Sequence, residues 1–406
     1  MVAVTPEAGE TTDVTVREFD GDRDGAAVER LESACEVGPS GGKMCLFTDL
    51  LGDPLCRVRH SPAYLMLVAE AASAGIVGVV RGCVKTVSCG GQGQAQGGNL
   101  IFAKVGYLLG LRVSPAHRRC GVARRLVERM EEWFRRAGAE YAYVATDAGN
   151  EPSVRLFTAR CGYAKFRAPS LLVHPVFRHD LSAPPSRRGR GARVVELSRG
   201  DAEVLYRRRF AGVEFFPRDI DAVLSNPLSL GTFLAIPAGS PPWQDIEAFL
   251  ASPPESWAVA SVWNSKDAFR LEVRGAPRLW RAAARATRAA DAAAPWLRIP
   301  SVPDLFAPFG MHLVYGLGGD GPAAPAMARA LCRHAHDMAR RAGARVVAAE
   351  VVADDPIRAG VPHWPRLGAE DLWCIKRVAE GYGDGALGDW TKSPPGASIF
   401  VDPREF

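Results

Sequence analysis

Residues Leu109 to Ala139, LGLRVSPAHRRCGVARRLVERMEEWFRRAGA, constrain this chain more than any other stretch. An apolar strand pattern at Tyr107–Val113 runs into a short loop, Ser114–Gly121, holding Pro115 and the basic side chains of His117, Arg118 and Arg119. The loop opens straight onto a helix. Val122, Ala123, Leu126, Val127, Met130, Trp133 and Phe134 fall on one stripe at helical spacing, with Arg124, Arg125, Glu128, Arg129, Glu131 and Glu132 opposite. Gly138 is the expected stop, and Tyr141–Thr146 is the next strand. A strand–helix–strand crossover requires a partly parallel sheet, so the expected fold class is α/β, or α+β with a mixed sheet. A helix start with free N–H groups and neighbouring arginines suits a phosphate. Gly121 lets the backbone come close to such a ligand.

The spacing Arg118-x-x-Gly121-x-Ala123, followed by Asn150-x-x-Ser153-x-x-Leu156-Phe157 and Cys161-Gly162-Tyr163, resembles the GCN5-related N-acetyltransferases. The stretches GPSGGKMCLFTDLLGDP (38–54) and EFFPRDID (214–221) are similar to a narrower set, the plant hookless-type acetyltransferase-like proteins, over nearly the whole chain. The resemblance implies an acetyl-CoA site. Backbone groups of Leu111, Arg112 and Val113 would hold the thioester carbonyl. The pyrophosphate would rest on the loop Arg118, Arg119, Cys120, Gly121, Val122, Ala123 and Arg124. The helix led by Asn150, with Ser153 and Phe157, would pack beside the pantetheine arm. Arg124 and Arg125 are either nucleotide ligands or surface charges.

Acetyl transfer to an amine needs a neutral amine, and a lysine with a pKa of about 10.4 is mostly protonated at neutral pH. Histone-type members carry a glutamate base eleven positions before the loop's first arginine; here that position is Tyr107. Glu70 at a strand end, Asp147 after the next strand and His117 are the other candidates, and spacing singles out none. The usual tyrosine acid is replaced by Phe157, which predicts a slower enzyme, since expelling an unprotonated thiol costs only about 2 kcal/mol. Tyr163 suits core packing. The segment Cys35–Ser61 lies where the family builds its acceptor groove. Lys43, Asp49, Asp53, Arg57 and Arg59 either read a polar or peptide substrate there or belong to an ordered connection.

The 406 residues, 47% hydrophobic, suffice for two cores. The expected units are an acetyl-CoA-binding domain at 1–180, a Pro/Gly/Ser/Arg linker at 181–192, a second domain at 193–380 and a tail at 381–406. The second unit reads as a degenerate copy. Arg135–Ala139 recurs as Arg340–Ala344 at an offset of 205, and Gly110-Leu111 as Gly316-Leu317 at 206. In its loop, Gly316–Ala328, two prolines lack N–H donors and Asp320 would repel a pyrophosphate. The Gly/Gln-rich stretch Cys89–Asn99 reads as a surface loop.

Net charge is only +5, and no aromatics interleave the basic cluster at 187–193 or the Arg281–Arg285–Arg288 stripe, which argues against direct nucleic-acid binding. No run is apolar enough to span a membrane, and the first residues lack a secretory pattern. Nine scattered cysteines without a CxxC pair fit a reduced intracellular protein, cytoplasmic or nuclear. Cys45, Cys56 and His60 match no common zinc spacing, so no metal is expected. The leading expectation is an acetyl-CoA-dependent N-acetyltransferase, regulatory in plant growth, acting on a primary amine of a protein or small molecule. Its rival is a non-catalytic acetyl-CoA-binding scaffold. The residues leave the acceptor and the oligomeric state open.

Overall fold

The computed structural model describes residues 14–38, 44–90, 100–182, 191–379 and 389–406. Lys43, nearly all of the Gly/Gln-rich loop, most of the linker with its basic cluster, and residues 381–388 of the tail lie outside them. The first half comprises β1 (Val14–Glu18), α1 (Gly21–Ala34), β2 (Cys45–Asp49), β3 (Ala63–Ala71), β4 (Gly75–Ser88), β5 (Phe102–Val113), α2 (Val122–Arg136), β6 (Tyr141–Asp147), α3 (Glu151–Arg155), β7 (Ala164–Arg167) and β8 (Pro169–Pro175). The second comprises β9 (Ala192–Leu197), α4 (Arg199–Phe210), α5 (Ile220–Ser225), β10 (Ser229–Pro237), α6 (Ile246–Ala251), β11 (Trp257–Asn264), β12 (Arg270–Arg274), α7 (Arg278–Ala293), β13 (Met311–Asp320), α8 (Ala324–Ala342), β14 (Val346–Val352) and β15 (Ala369–Arg377). None of these helices is long and apolar enough to cross a membrane.

One mixed sheet runs through both halves in the order β1-β3-β4-β5-β6-β15-β8-β14-β13-β11-β10-β9, with β7 beside β15. The order is a palindrome about the β15–β8 pair. Each half supplies one parallel pair bridged by a crossover helix, β5–β6 by α2 and β13–β14 by α8. At the centre the halves exchange strands: β15 lies on β6, with Trp373 opposite Ala145, and β8 lies on β14. The boundary expected at 181–192 therefore divides the chain but not the sheet. The expected tail also needs correction for residues 389–406, because Trp390, Phe400, Val401 and Asp402 are buried between the halves. The segment Cys35–Ser61 contains β2, which pairs with β12.

The two sequence repeats occupy equivalent points. Gly138 and Gly343 close α2 and α8 with left-handed φ of 78° and 77°. The next amide in each, Ala139 and Ala344, reaches back 2.9 Å to the carbonyl of Phe134 and Ala339, which is a Schellman closure in both halves. Gly110 and Gly316, at φ 59° and 57°, sit at β-bulges of β5 against β4 and of β13 against β11. The apolar stripe of α2 packs on the sheet as its spacing predicts. It lies close, because a Cβ on Gly82 or Gly106 would strike Met130 or Phe134.

Candidate functional site

The bulge at Gly110 opens a fork. β5 and β6 pair in parallel only from Val105–Tyr141 to Leu108–Val144, although β5 continues to Val113 and β6 to Asp147. Past the fork, β5 keeps β4 on one side and leaves its β6-facing edge, Leu109 to Val113, without a strand partner. That edge points to the loop before α2. Arg119 and Gly121 both have positive φ, 67° and 80°. Such left-handed residues turn successive amides to one side and make an anion-binding concavity at the helix start. A Cβ on Gly121 would meet nothing within 4 Å, so the cradle is open. A free strand edge leading to this cradle suits the amide-rich arm and pyrophosphate of an acyl-CoA.

The other motif residues fall as follows. Asn150 caps its short helix, its side-chain oxygen accepting from Ser153 N at 3.4 Å, and its amide donates to the Gly38 carbonyl at 3.1 Å. Ser153 Oγ accepts from Thr146 Oγ1 at 2.9 Å, which ties this helix to the open end of β6. Phe157 lies in a π-helical turn, Leu156–Arg160, is 1% exposed and stands edge-on to Tyr163 with ring centres 5.4 Å apart. Arg124 is exposed and pairs with Glu128 at 2.7 Å along the helix, and Arg125 donates to the Val14 carbonyl at 3.1 Å. Cys120 is exposed in the loop.

Of the four candidate bases, His117 ends the short turn Pro115–His117 before α2, and Glu70 is not brought to the fork. It bonds Arg17 at 2.7 Å at the β1 edge. Along β4, Ile76 faces Glu70 and Gly82 faces Leu108, so the two points are roughly 20 Å apart at about 3.3 Å per residue. Glu70→Gln is expected to cost under about 1 kcal/mol in thermal unfolding and to leave turnover unchanged; a tenfold loss of turnover would return Glu70 to the site. Tyr107 projects from β5 onto the face opposite α2, its ring 4.7 Å from that of Tyr143. Burial, and then the charge of Glu405, hold its phenol well above the usual range, so it stays protonated. Asp147 ends β6 and lies opposite Asp371 of β15.

Asp371 is a residue that sequence reasoning missed. Burial, reinforced by the Asp147 and Glu370 carboxylates, pushes it up to about 6. Beyond it, Glu350 of β14 accepts from Trp373 Nε1 at 3.0 Å, and burial followed by the Asp371 charge lifts it well above the carboxylate range. Only the apolar run Leu372–Ile375 signalled the strand that carries Asp371 here.

The second half repeats the fork and closes it. β13 and β14 part after Val314 and Ala349. The gap is a cavity of about 20 Å³ lined by Tyr315, Gly316 and Glu350 and plugged by Ile399 and Val401, which leaves room for roughly one water. At the start of α8 a Cβ on Gly321 would collide with the Glu255 carbonyl, Ala323 N is bound by Ser256 Oγ at 3.0 Å, and Asp320 pairs with Arg209 at 2.7 Å.

A family model described as the acetyltransferase (GNAT) family matches residues 38–163. The chain is 56% identical to "Probable N-acetyltransferase HLS1" of Arabidopsis thaliana, over 96% of this chain and 99% of that protein. It is 43% identical to "Acetyl transferase GW6a" of Oryza sativa subsp. japonica over 97% of each. Among solved structures, Saccharomyces cerevisiae N-myristoyltransferase with bound myristoyl-CoA shares the fold, with a TM-score of 0.53 at 10% identity across 93% of this chain and 81% of that one.

Proposed function

Because the chain belongs to the acetyltransferase (GNAT) family, as an HLS1-like member, we propose that it moves an acetyl group from acetyl-CoA to a primary amine of a protein or small molecule. The observation that carries this reading is the β5–β6 fork leading to an open, left-handed cradle at the start of α2. We assign Leu111, Arg112 and Val113 to the thioester carbonyl, where aimed N–H donors contribute about 3 kcal/mol to lowering a barrier. Arg118 to Arg124 take the pyrophosphate. Asn150 and Ser153 brace the far wall of the fork, and Phe157 packs behind it. The 1–180 and 193–380 segments are tandem acetyltransferase-like halves, the second degenerate, its closed fork completing the sheet. A regulatory role in plant growth follows from the resemblance to the hookless-type proteins, and the scattered free cysteines fit the cytoplasm or nucleus.

Bound acetyl-CoA supplies the acyl carbonyl and a thiol leaving group. The chain must supply a proton acceptor for the amine. Asp147 and Asp371 face each other at the fork's far strand, and two facing carboxylates do not readily ionise together. The pair is the base in this reading, and Tyr107, kept protonated, is a hydrogen-bond donor beside it. The base acts ionised, so turnover should rise with pH through an apparent pKa of about 6. Asp371→Asn should lower turnover about 100-fold or more and remove that inflection. A pH profile identical to the wild type's would assign the base elsewhere.

Calorimetric titration with acetyl-CoA, followed by thiol release in the presence of a peptide and polyamine panel, tests the whole. Binding with acceptor-dependent release supports the enzyme. Binding without release supports the rival, an acetyl-CoA-binding regulator, which Phe157 in place of the tyrosine acid and Tyr107 in place of a glutamate base favour. No binding would overturn both.

A further inference from the structure

Helix α7 is built inside out. Its inward line, Ala284, Arg288 and Asp291 at i, i+4 and i+7, is buried, and two of the three are charged. Arg288 donates to the Val176 carbonyl at 3.3 Å. Asp291 accepts from Arg178 N at 2.7 Å and from Ser301 Oγ at 2.6 Å, and bonds His179 Nδ1 at 2.7 Å. Polar contacts thus pin the helix to the segment after β8. The opposite line, Leu279, Ala282, Ala286, Ala289 and Ala293, is exposed and wholly apolar. A helix packed on a soluble protein ordinarily turns its apolar stripe inward. Arg288, grouped by spacing with Arg281 and Arg285, is turned in while the other two stay outside.

Both ends of this face hold large apolar side chains in solvent. Leu279 is 81% exposed and Trp280 53%; beyond the helix, in the turn Pro295–Leu297, Trp296 is 76% and Leu297 61% exposed. These are the four most exposed large hydrophobic side chains among the described residues. The charges around them have one sign. Arg278, Arg281, Arg285 and Arg298 are exposed, and the only acid between 278 and 298 is the buried Asp291. Along about 24 Å of helix, at 1.5 Å per residue, exposed apolar surface is bordered by cations alone.

Shape and charge decide what fits this face. A partner helix needs a groove to receive its anchors, whereas α7 is a ridge on which only alanines stand out between the two ends. A second copy of the chain would set arginines against arginines. A nucleic acid would use the arginines and tryptophans but leave the leucines and the alanine line in water. An anionic lipid surface uses all of them. Leu and Trp side chains enter the boundary between headgroups and acyl chains, and guanidiniums stay at the phosphates with their stems along the apolar side.

We propose that α7 and the turn behind it form a peripheral membrane contact, which docks the protein on a bilayer surface rich in anionic phospholipid. The inference stands independently of the acetyl-transfer reading. The helix lies in the interface and does not span it, being 16 residues long with four arginines.

The test uses the full chain and vesicles of phosphatidylcholine, alone or with about 30% phosphatidylserine. Wild type is compared with Leu279→Ser/Trp296→Ser/Leu297→Ser and with Arg278→Glu/Arg285→Glu. Every substituted side chain is exposed, so circular dichroism and thermal unfolding should be unchanged in both variants. In co-sedimentation, wild type should bind the anionic vesicles at least about tenfold more tightly than plain phosphatidylcholine, and less tightly as salt is raised. Each variant should bind the anionic vesicles about tenfold more weakly or worse. Depth is the second readout: brominated acyl chains should quench more fluorescence in the wild type than in Trp296→Phe. No binding by the wild type, equal binding by the triple variant, or quenching that is the same without Trp296 would each overturn the proposal. So would tighter binding to duplex DNA, poly(U) or polyglutamate than to the anionic vesicles. A dimer that dissociates in the triple variant, with no vesicle binding, would make the face a contact between copies and overturn it as well.

Discussion

Gly121→Glu is expected to weaken acetyl-CoA binding more than about 100-fold. Gly121 sits at φ 80° at the N-terminus of α2, and a side chain there faces open space in front of the helix's first amides. Placing any L side chain in that left-handed conformation costs about 1–2 kcal/mol. The glutamate then adds a negative charge where a pyrophosphate must rest, and it fills the cradle. Together these exceed the roughly 2.7 kcal/mol that 100-fold represents. Gly121→Ala separates the terms, because it carries the strain without the charge, and should lose no more than about tenfold. Calorimetry with acetyl-CoA reads both variants. An unchanged affinity in Gly121→Glu would mean that the phosphates lie elsewhere, and the whole assignment of the fork would go with it.

Legibility tracked the range of the interactions. The strand, loop and helix around Gly121 were readable because strand edge, turn and amphipathic stripe are all encoded within neighbouring residues. The Schellman closures at Gly138 and Gly343 were visible as a recurring Arg-Arg-Ala-Gly-Ala, although their geometry was not. The exchange of β15 and β8 was hidden, since nothing local tells Trp373 to lie against Ala145 and not beside its own half. Asp371 was hidden with it, because its chemistry depends on a neighbour, Asp147, that is more than 200 positions away. Glu70 failed for the opposite reason: its strand was placed well, but its direction along β3 carried it to Arg17.

The segment 389–406 reads as a tail because Pro and Gly break every period, yet its burial makes it the keystone of the face opposite α2. Trp390 is fully buried. Its Nε1 donates to Glu214 at 2.8 Å, while Glu214 is also held by Arg167 at 2.6 Å. Its ring stands edge-on to Tyr141 at 5.4 Å and Phe166 at 5.7 Å and lies against Phe215 at 5.1 Å. Further along, Asp402 and Glu405 supply both partners of the buried Lys85, and Tyr143 donates to Glu405. Trp390→Ala removes the largest of these anchors, and truncations of this size in a packed core cost about 3–5 kcal/mol. The lost hydrogen bond to Glu214, whose Oε1 keeps Arg167 Nη2 at 2.8 Å, adds about 1 kcal/mol. The denaturation midpoint should fall accordingly, and Trp390→Phe, which keeps most of the packing, should lose less than half as much. Because the α2 cradle lies on the other face, acetyl-CoA affinity of the folded Trp390→Ala protein should stay within about threefold, under 1 kcal/mol. A loss of stability below about 1 kcal/mol would show that the terminal segment only rests on the fold. A loss of affinity as large as that of Gly121→Glu would show that the two faces of the sheet are coupled through the fork itself.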